Sequence, residues 1–364
     1  MRAGRRSFLA SLGGVGTALA GAKSFSLAQE GAPPGSGTTQ GSFLGLSEGK
    51  SGFMTTGPRG GMTERADYTK IKVPYKERKG VTFPGGARVA VTFEFCTEYF
   101  EGGRLGGTPD AGVRFQTPRG PNWNEIARTS WFNWEVGIPR ALDVYDRYGI
   151  KATAIFSALG ALYYPQLAKE IAQRGHEIAA HGWDESVNSA FLSREVERQS
   201  VRREIAVLTE TTGVRPVGML NQAGAPSSDT VEFIADENFL WHGDLRDDTL
   251  PYGIRYKDKV LVRIPHGNLS YNDPALFGRA ATEYHLSPQK AFEYMKETLE
   301  AQLEWAEHEP STMQIGTHPF LGCYPDRMLT FDRTFAYLRS LPKSKVWIAT
   351  YKELAEYWKK NYIS

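Results

Sequence analysis

Gly175-His176-Glu177-Ile178-Ala179-Ala180-His181-Gly182-Trp183-Asp184-Glu185 joins a short apolar run to a packet of groups able to ligate metal or move protons. The run Glu177 to Ala180 predicts a buried strand, and Gly175 closes the helical stretch before it. A reactive packet at the C-terminal end of a buried strand is where α/β folds place their chemistry. His181, Asp184 and Glu185 therefore become the first candidate site residues.

The same strand–helix rhythm runs outward in both directions. Upstream, residues 88–95 (RVAVTFEF) and 151–157 predict buried strands, with helices over 136–148 and 164–173. Downstream, Ser193 caps a helix reaching Thr212, with Glu195 and Glu197 in its first turn. Strands follow at 217–220, 240–242, 260–264, 313–317 and 346–349, and helices at 230–237, 288–308, 327–341 and 351–360. Seven or eight such units in one run argue for a single irregular (β/α) barrel, with a doubly wound open sheet as the other arrangement. In either case polar groups should gather at strand C-termini. Glu94, Cys96, His181, Asn221, Gln222, Asp244, His266 and His318 all lie there.

At 364 residues, with 41% apolar and 12% aromatic residues, the chain can bury one large core. Its 43 basic and 41 acidic residues leave a net charge of +2, which supplies no electrostatic case for nucleic acid or an anionic membrane. The start reads as a targeting segment. Arg5-Arg6-Ser7-Phe8-Leu9 precedes a mildly apolar run to Ala20, and Ala20-Gly21-Ala22 and Ser26-Leu27-Ala28 are small-x-small cleavage sites. The run is too short to span a bilayer. Residues 1–28 are thus expected to be a signal resembling those of the twin-arginine pathway, directing a folded protein to the periplasm or beyond. Residues 29–80, rich in Gly, Ser and Pro at first, read as a linker or draped arm, and 81–364 as one folded domain.

The order of motifs resembles the polysaccharide deacetylase superfamily (NodB-homology, carbohydrate esterase family four), in its peptidoglycan deacetylase-like and allantoinase-like branch. The residues that carry this are Val89-Ala-Val-Thr-Phe-Glu-Phe-Cys96, Val136-Gly-Ile-Pro-Arg-Ala-Leu142 with Tyr148-Gly-Ile-Lys-Ala-Thr153, Gly175 to Gly182, Arg215-Pro-Val-Gly218, Asp247-Asp248 through Tyr252, and His318-Pro319 with Gly322 and Arg327. The resemblance implies a hydrolase of non-peptide carbon–nitrogen bonds, with 81–364 as its catalytic domain. In it a divalent metal, usually zinc, polarises an acetamido carbonyl and activates water, a carboxylate accepts the water proton, and a late histidine protonates the leaving amine. Its substrate would be an N-acetylated glycan or a small amide.

Carried over by position, Glu94 replaces the base Asp, Cys96 replaces the metal-binding Asp, His181 is the retained first histidine and Glu185 replaces the second. His318 is the retained acid. The resemblance thus implies a metal triad of Cys96, His181 and Glu185, catalytic Glu94 and His318, and substrate contacts from Trp183, Asp184, Asn221 and Gln222. Thiolate, imidazole and carboxylate are all legitimate zinc ligands. A Cys96–Cys323 disulfide is an alternative use of the thiol and excludes the first. Glu98 and Glu101 read as surface carboxylates, though allantoinase-like relatives carry a carboxylate pair near there, which implies reserve bases. Trp123, Trp131, Trp134 and Trp183 flank the expected active face, where aromatic rings can stack on sugars. Two other functions stay open: a metal-independent amidase of the allantoinase-like type, and a degenerate member that binds glycan without catalysis.

Overall fold

A computed structural model describes residues 68–101, 116–117, 120–121, 123–186, 188–266, 272–278 and 286–363. The expected signal segment 1–28, most of the expected arm, and Arg114 and Arg119 of the loop after the first core strand lie outside the described residues.

Ten strands form one sheet: β1 (Tyr68–Ile71), β2 (Val89–Thr97), β3 (Thr153–Phe156), β4 (Glu177–Ala180), β5 (Gly218–Met219), β6 (Trp241–His242), β7 (Tyr252–Tyr256), β8 (Lys259–Arg263), β9 (Ser311–Thr317) and β10 (Val346–Ala349). Eight run parallel, in spatial order β8-β6-β5-β4-β3-β2-β9, with β10 also on β2. The eight strands expected from periodicity are these eight. β9 occupies one edge of β2. The other edge is divided, with β10 opposite Val89 to Thr92 and β3 opposite Glu94 to Thr97. Round the far side, Asn272 bridges Gly316 in parallel and the Thr312 amide donates to the Thr249 carbonyl at 3.0 Å. The result is the irregular (β/α) barrel the rhythm implied.

Side chains of β2 alternate strictly. Val89, Val91, Phe93 and Phe95 join the outer core under the helices, while Ala90 and Cys96 share the inner core with Ala179, Leu220, Trp241 and Val262. The C-terminal helix Tyr351–Tyr362 adds Tyr351, Leu354, Ala355 and Trp358 to that inner core. Its start is secured by a capping box between Thr350 and Glu353.

The inner packing is tight enough to forbid a methyl group at Gly218. A Cβ there would lie 1.7 Å from the buried Trp241 ring. Gly218→Ala is expected to cost about 3 kcal/mol, because neither strand nor indole can retreat. A thermal midpoint equal to wild type would disprove this packing account.

β1 and β7 were not anticipated. β1 pairs antiparallel with β7, so the end of the presumed arm belongs to the sheet. Lys70 binds Asp247 at 2.7 Å, and Lys72 and Arg78 bind Asp248 at 2.9 and 2.8 Å. Asp247-Asp248 is thus the fastener for residues 68–80, a tertiary role that no local pattern announces.

His176 of the opening stretch is structural. It is buried, accepts a hydrogen bond from the Ala152 amide at 3.1 Å, and burial pulls its pKa down to about 4. The unfolded chain binds the proton near pH 6.5, so between that value and about 4 the unfolded state holds more protons than the folded one. His176 therefore costs stability as pH falls through this window, by up to roughly 3 kcal/mol. His176→Asn, which keeps an acceptor for Ala152, should flatten the stability–pH curve over that interval. A curve parallel to wild type would refute the assignment.

Candidate active site

The site is assembled from the C-terminal ends of β2, β4 and β9. Glu94, Cys96 and Glu98 have the same parity and project to the same side, the interior of the barrel. Glu98 is the residue that sequence reasoning misplaced. It is 5% exposed rather than a surface carboxylate. Its backbone carbonyl is held by Asn133 Nδ2 at 2.8 Å and Trp134 Nε1 at 3.0 Å. Its Oε1 lies 3.6 Å from His181 Nε2 and 3.4 Å from His318 Nε2. The signal was available: two-residue spacing from Glu94 through Cys96 extends to Glu98, once the strand is allowed to persist in direction past Thr97.

His181 follows β4. Its amide donates to Glu204 Oε1 at 2.7 Å, and Nδ1 faces the Leu220 carbonyl at 2.6 Å. A carbonyl can only accept, so Nδ1 carries the hydrogen and Nε2 is the working nitrogen. Nε2 faces Glu185 Oε2 at 3.2 Å as well as Glu98. A neutral imidazole lone pair aimed at two carboxylates is repulsive, so the arrangement calls for a proton or a metal cation between them. Burial disfavours the imidazolium, but the Glu185 charge and then Glu98 outweigh it and push the His181 pKa up to about 10. Burial drives the Glu185 pKa up to about 8, against the pull of His181.

His318 follows β9. Asp273, fully buried, holds it twice: Oδ2 accepts from the His318 amide and Oδ1 from Nδ1, each at 2.7 Å. Burial works against the His318 cation, yet Cys96, Glu98 and Asp273 raise its pKa well above the ordinary histidine value. Asp273 lies 45 residues before its partner, at the start of the short helix Asp273–Phe277, and carries no sequence signal.

The remaining candidates fall elsewhere. Cys96 is drawn to Glu98 and His318, while His181 and Glu185 share their own group with Glu98, so the expected triad of Cys96, His181 and Glu185 is divided between two groups. Cys96 is buried and its thiol pKa is pushed up to about 12 by burial, which makes a thiolate ligand costly. Cys96 and Cys323 are both free thiols here, and Cys323 packs in the outer core. Glu94 already has both oxygens engaged, with Tyr351 and with His266 at 3.0 to 3.1 Å. That leaves it positioned to anchor His266 rather than to meet substrate. Tyr351→Phe should therefore strip one partner from a buried carboxylate and destabilise the fold by about 2 kcal/mol in denaturant titrations, with hydrolysis per folded molecule little changed.

The four expected substrate contacts are all buried. Trp183 lies in the outer core with the Arg203 guanidinium over its ring. Asp184 accepts from the Glu101 and Ser186 amides at 3.1 and 3.0 Å, which orders the loop carrying Glu185. Asn221 binds Asp244 through its amide and side chain at 2.6 and 2.5 Å. Gln222 receives the Ser189 hydroxyl at 3.1 Å and packs over Gly182.

The donor set suits a divalent cation. Among the described residues, Glu98, His181 and Glu185 place one ligand atom each within 4.8 Å of one another. Glu185 Oε2 is buried and, among the described residues, accepts no hydrogen bond, with His181 Nε2 3.2 Å away. Ligands about 2.0 Å from a tetrahedral ion sit about 3.3 Å apart, and the distances from His181 Nε2 are 3.2 and 3.6 Å.

Residues 131–239, the segment containing His181 and Glu185, match the family model of polysaccharide deacetylase. A curated relative, the peptidoglycan deacetylase of Helicobacter pylori, is 27% identical over 128 residues, which is 35% of this chain and 43% of that protein. The chain thus spans under half the length of that relative. Among solved structures, a "probable Polysaccharide deacetylase" from Pseudomonas aeruginosa PAO1 is 25% identical with a TM-score of 0.67, over 80% of this chain and 96% of that one. Puue allantoinase, 24% identical with a TM-score of 0.66 over 80% and 96% of the two chains, shares the fold. No helix among the described residues is long and apolar enough to cross a membrane. The family-model match thus falls on the segment that bears His181 and Glu185, and the fold is shared along most of the chain with these solved structures.

Proposed function

We propose that this protein is an exported hydrolase that removes the acetyl group from an N-acetylated glycan, using Glu98, His181 and Glu185 to hold a divalent cation, with zinc the fitting choice. The observation that carries this reading is the convergence of both histidine Nε2 atoms on one buried carboxylate. The cation supplies polarisation of the amide carbonyl and acidifies water. Everything else is the work of the chain. His318 Nε2, held protonated by the surrounding carboxylates, gives its proton to the amine nitrogen as the C–N bond breaks, and the proton released as water adds to the carbonyl carbon restores it. Asp273 keeps the proton on Nδ1 and stabilises the imidazolium. Acetate and the free amine leave, so one water is consumed per bond. Export rests on the twin-arginine segment, and residues 81–364 as the catalytic domain on the run of units after Val81.

A second reading has its own observation. Glu98 between two imidazoles is already charge-compensated, as a metal-independent amidase acting on a small amide or ureide would need. Metal analysis of the purified protein separates the two. About one zinc per chain, with activity lost on chelation and restored by metal, supports the first. Metal-free protein that hydrolyses small amides supports the second. Metal-free protein that releases neither acetate nor amine from either substrate class overturns both.

A further inference from the structure

Two large indoles on the face beside the site are exposed, Trp123 at 60% and Trp131 at 42%. Their rings stack with centroids 6.2 Å apart and planes within 28°. The other two tryptophans expected to face sugars are buried, Trp134 in the core and Trp183 under Arg203. The exposed pair is fixed relative to the chemistry. Trp131 lies against the phenol of Tyr99, the residue after Glu98. Ser130 Oγ accepts from the Phe100 amide at 2.9 Å and donates to the Phe100 carbonyl at 2.8 Å. With Asn133 and Trp134 both on the Glu98 carbonyl, the segment from Ser130 to Trp134 is stapled to the strand end that carries Glu98. Tyr99 packs edge-on against Tyr163, itself half exposed and donating to Glu101 at 3.2 Å.

We propose that Trp123 and Trp131 form a sugar-stacking subsite for a glycan strand whose reacting residue sits at Glu98. The inference rests on the glycan reading for its ligand class. A pyranose presents a flat array of C–H bonds to an indole face and hydroxyls at its rim, which suits an exposed ring bordered by charged groups. Glu125 and Arg128, paired at 2.7 Å on the same segment, and Glu101 beside Tyr163 supply that polar border. Continuity with the site commits the platform to a ligand long enough to reach from Glu98 to the indoles. Single sugars do not qualify.

Affinity electrophoresis in gels containing glycol chitin tests this without relying on turnover. Wild type and Glu98→Gln should both be retarded. Trp123→Ala should lose at least about four-fifths of that retardation, and Trp123→Phe should keep most of it. With a short N-acetylated substrate, Trp123→Ala should leave kcat/KM within twofold of wild type, while KM for the polymer rises about tenfold. Retardation that depends on Trp123 in a protein releasing no acetate would sustain the subsite and fail the proposed hydrolysis. Retardation unchanged in Trp123→Ala, or absent from wild type, overturns the subsite. Near-ultraviolet circular dichroism on each variant confirms that its fold is intact.

Discussion

Glu98→Gln should abolish catalysis, lowering kcat/KM by roughly 10³-fold or more, with little loss of fold. Among the described residues, Glu98 is the carboxylate that both His181 and His318 face, at 3.6 and 3.4 Å, so its charge organises the constellation. Residues that act as one unit lose most of the rate when any is removed. Glutamine keeps the volume and one acceptor but removes the negative charge. With zinc bound through Glu98, His181 and Glu185, the metal content of Glu98→Gln should drop from about one per chain to below a tenth, as in His181→Ala. Cys96→Ser should retain most of the metal, because Cys96 stands in the other group, with His318. Normal activity in Glu98→Gln would remove Glu98 from the site. Metal lost in Cys96→Ser but kept in Glu98→Gln would restore the ligand set first read from the motif.

Asp273→Asn should cost the second-largest factor, about 10³- to 10⁴-fold in kcat, with KM changed less than threefold. Asp273 is a positioning residue and acts through His318. Its carboxylate accepts from Nδ1 at 2.7 Å, and an asparagine amide in its place can present a donor there and reverse the tautomer. Nε2 would then carry the hydrogen of a neutral ring, a far weaker acid toward the leaving amine. Losing the Asp273 charge also removes one of the influences that raise the His318 pKa, so the pH profile of kcat should move toward acid. A merely structural role would lower the yield of folded protein and leave that profile where it was. The profile is therefore the measurement that decides.

The fold was largely legible in the sequence because each parallel strand is a compact apolar run bounded by Gly or polar residues. The barrel's local rule is also its global rule. β1 and β7 escaped because their pairing depends on partners nearly two hundred residues apart and on the clamp of Lys70, Lys72 and Arg78 to Asp247 and Asp248. The site was half legible. His181, Glu185 and His318 stand at strand ends where position alone marks them. Glu98 could have been found from the alternation of β2. Asp273 could not, since a carboxylate beside a proline in a loop looks like any other turn residue.

By itself, then, the sequence determined the barrel and the strand ends at which reactive groups collect, because hydrophobic period and strand parity are properties of neighbouring residues. Only the tertiary structure decided which groups meet. It placed Glu98 rather than Cys96 with His181 and Glu185, tied Glu94 to His266 and Tyr351, and gave His318 its partner in Asp273. The physical reason is that ligand sets and proton relays are set by distances of 3 to 4 Å between side chains from different strands. Those distances depend on how the strands stagger round the barrel, which no single segment encodes.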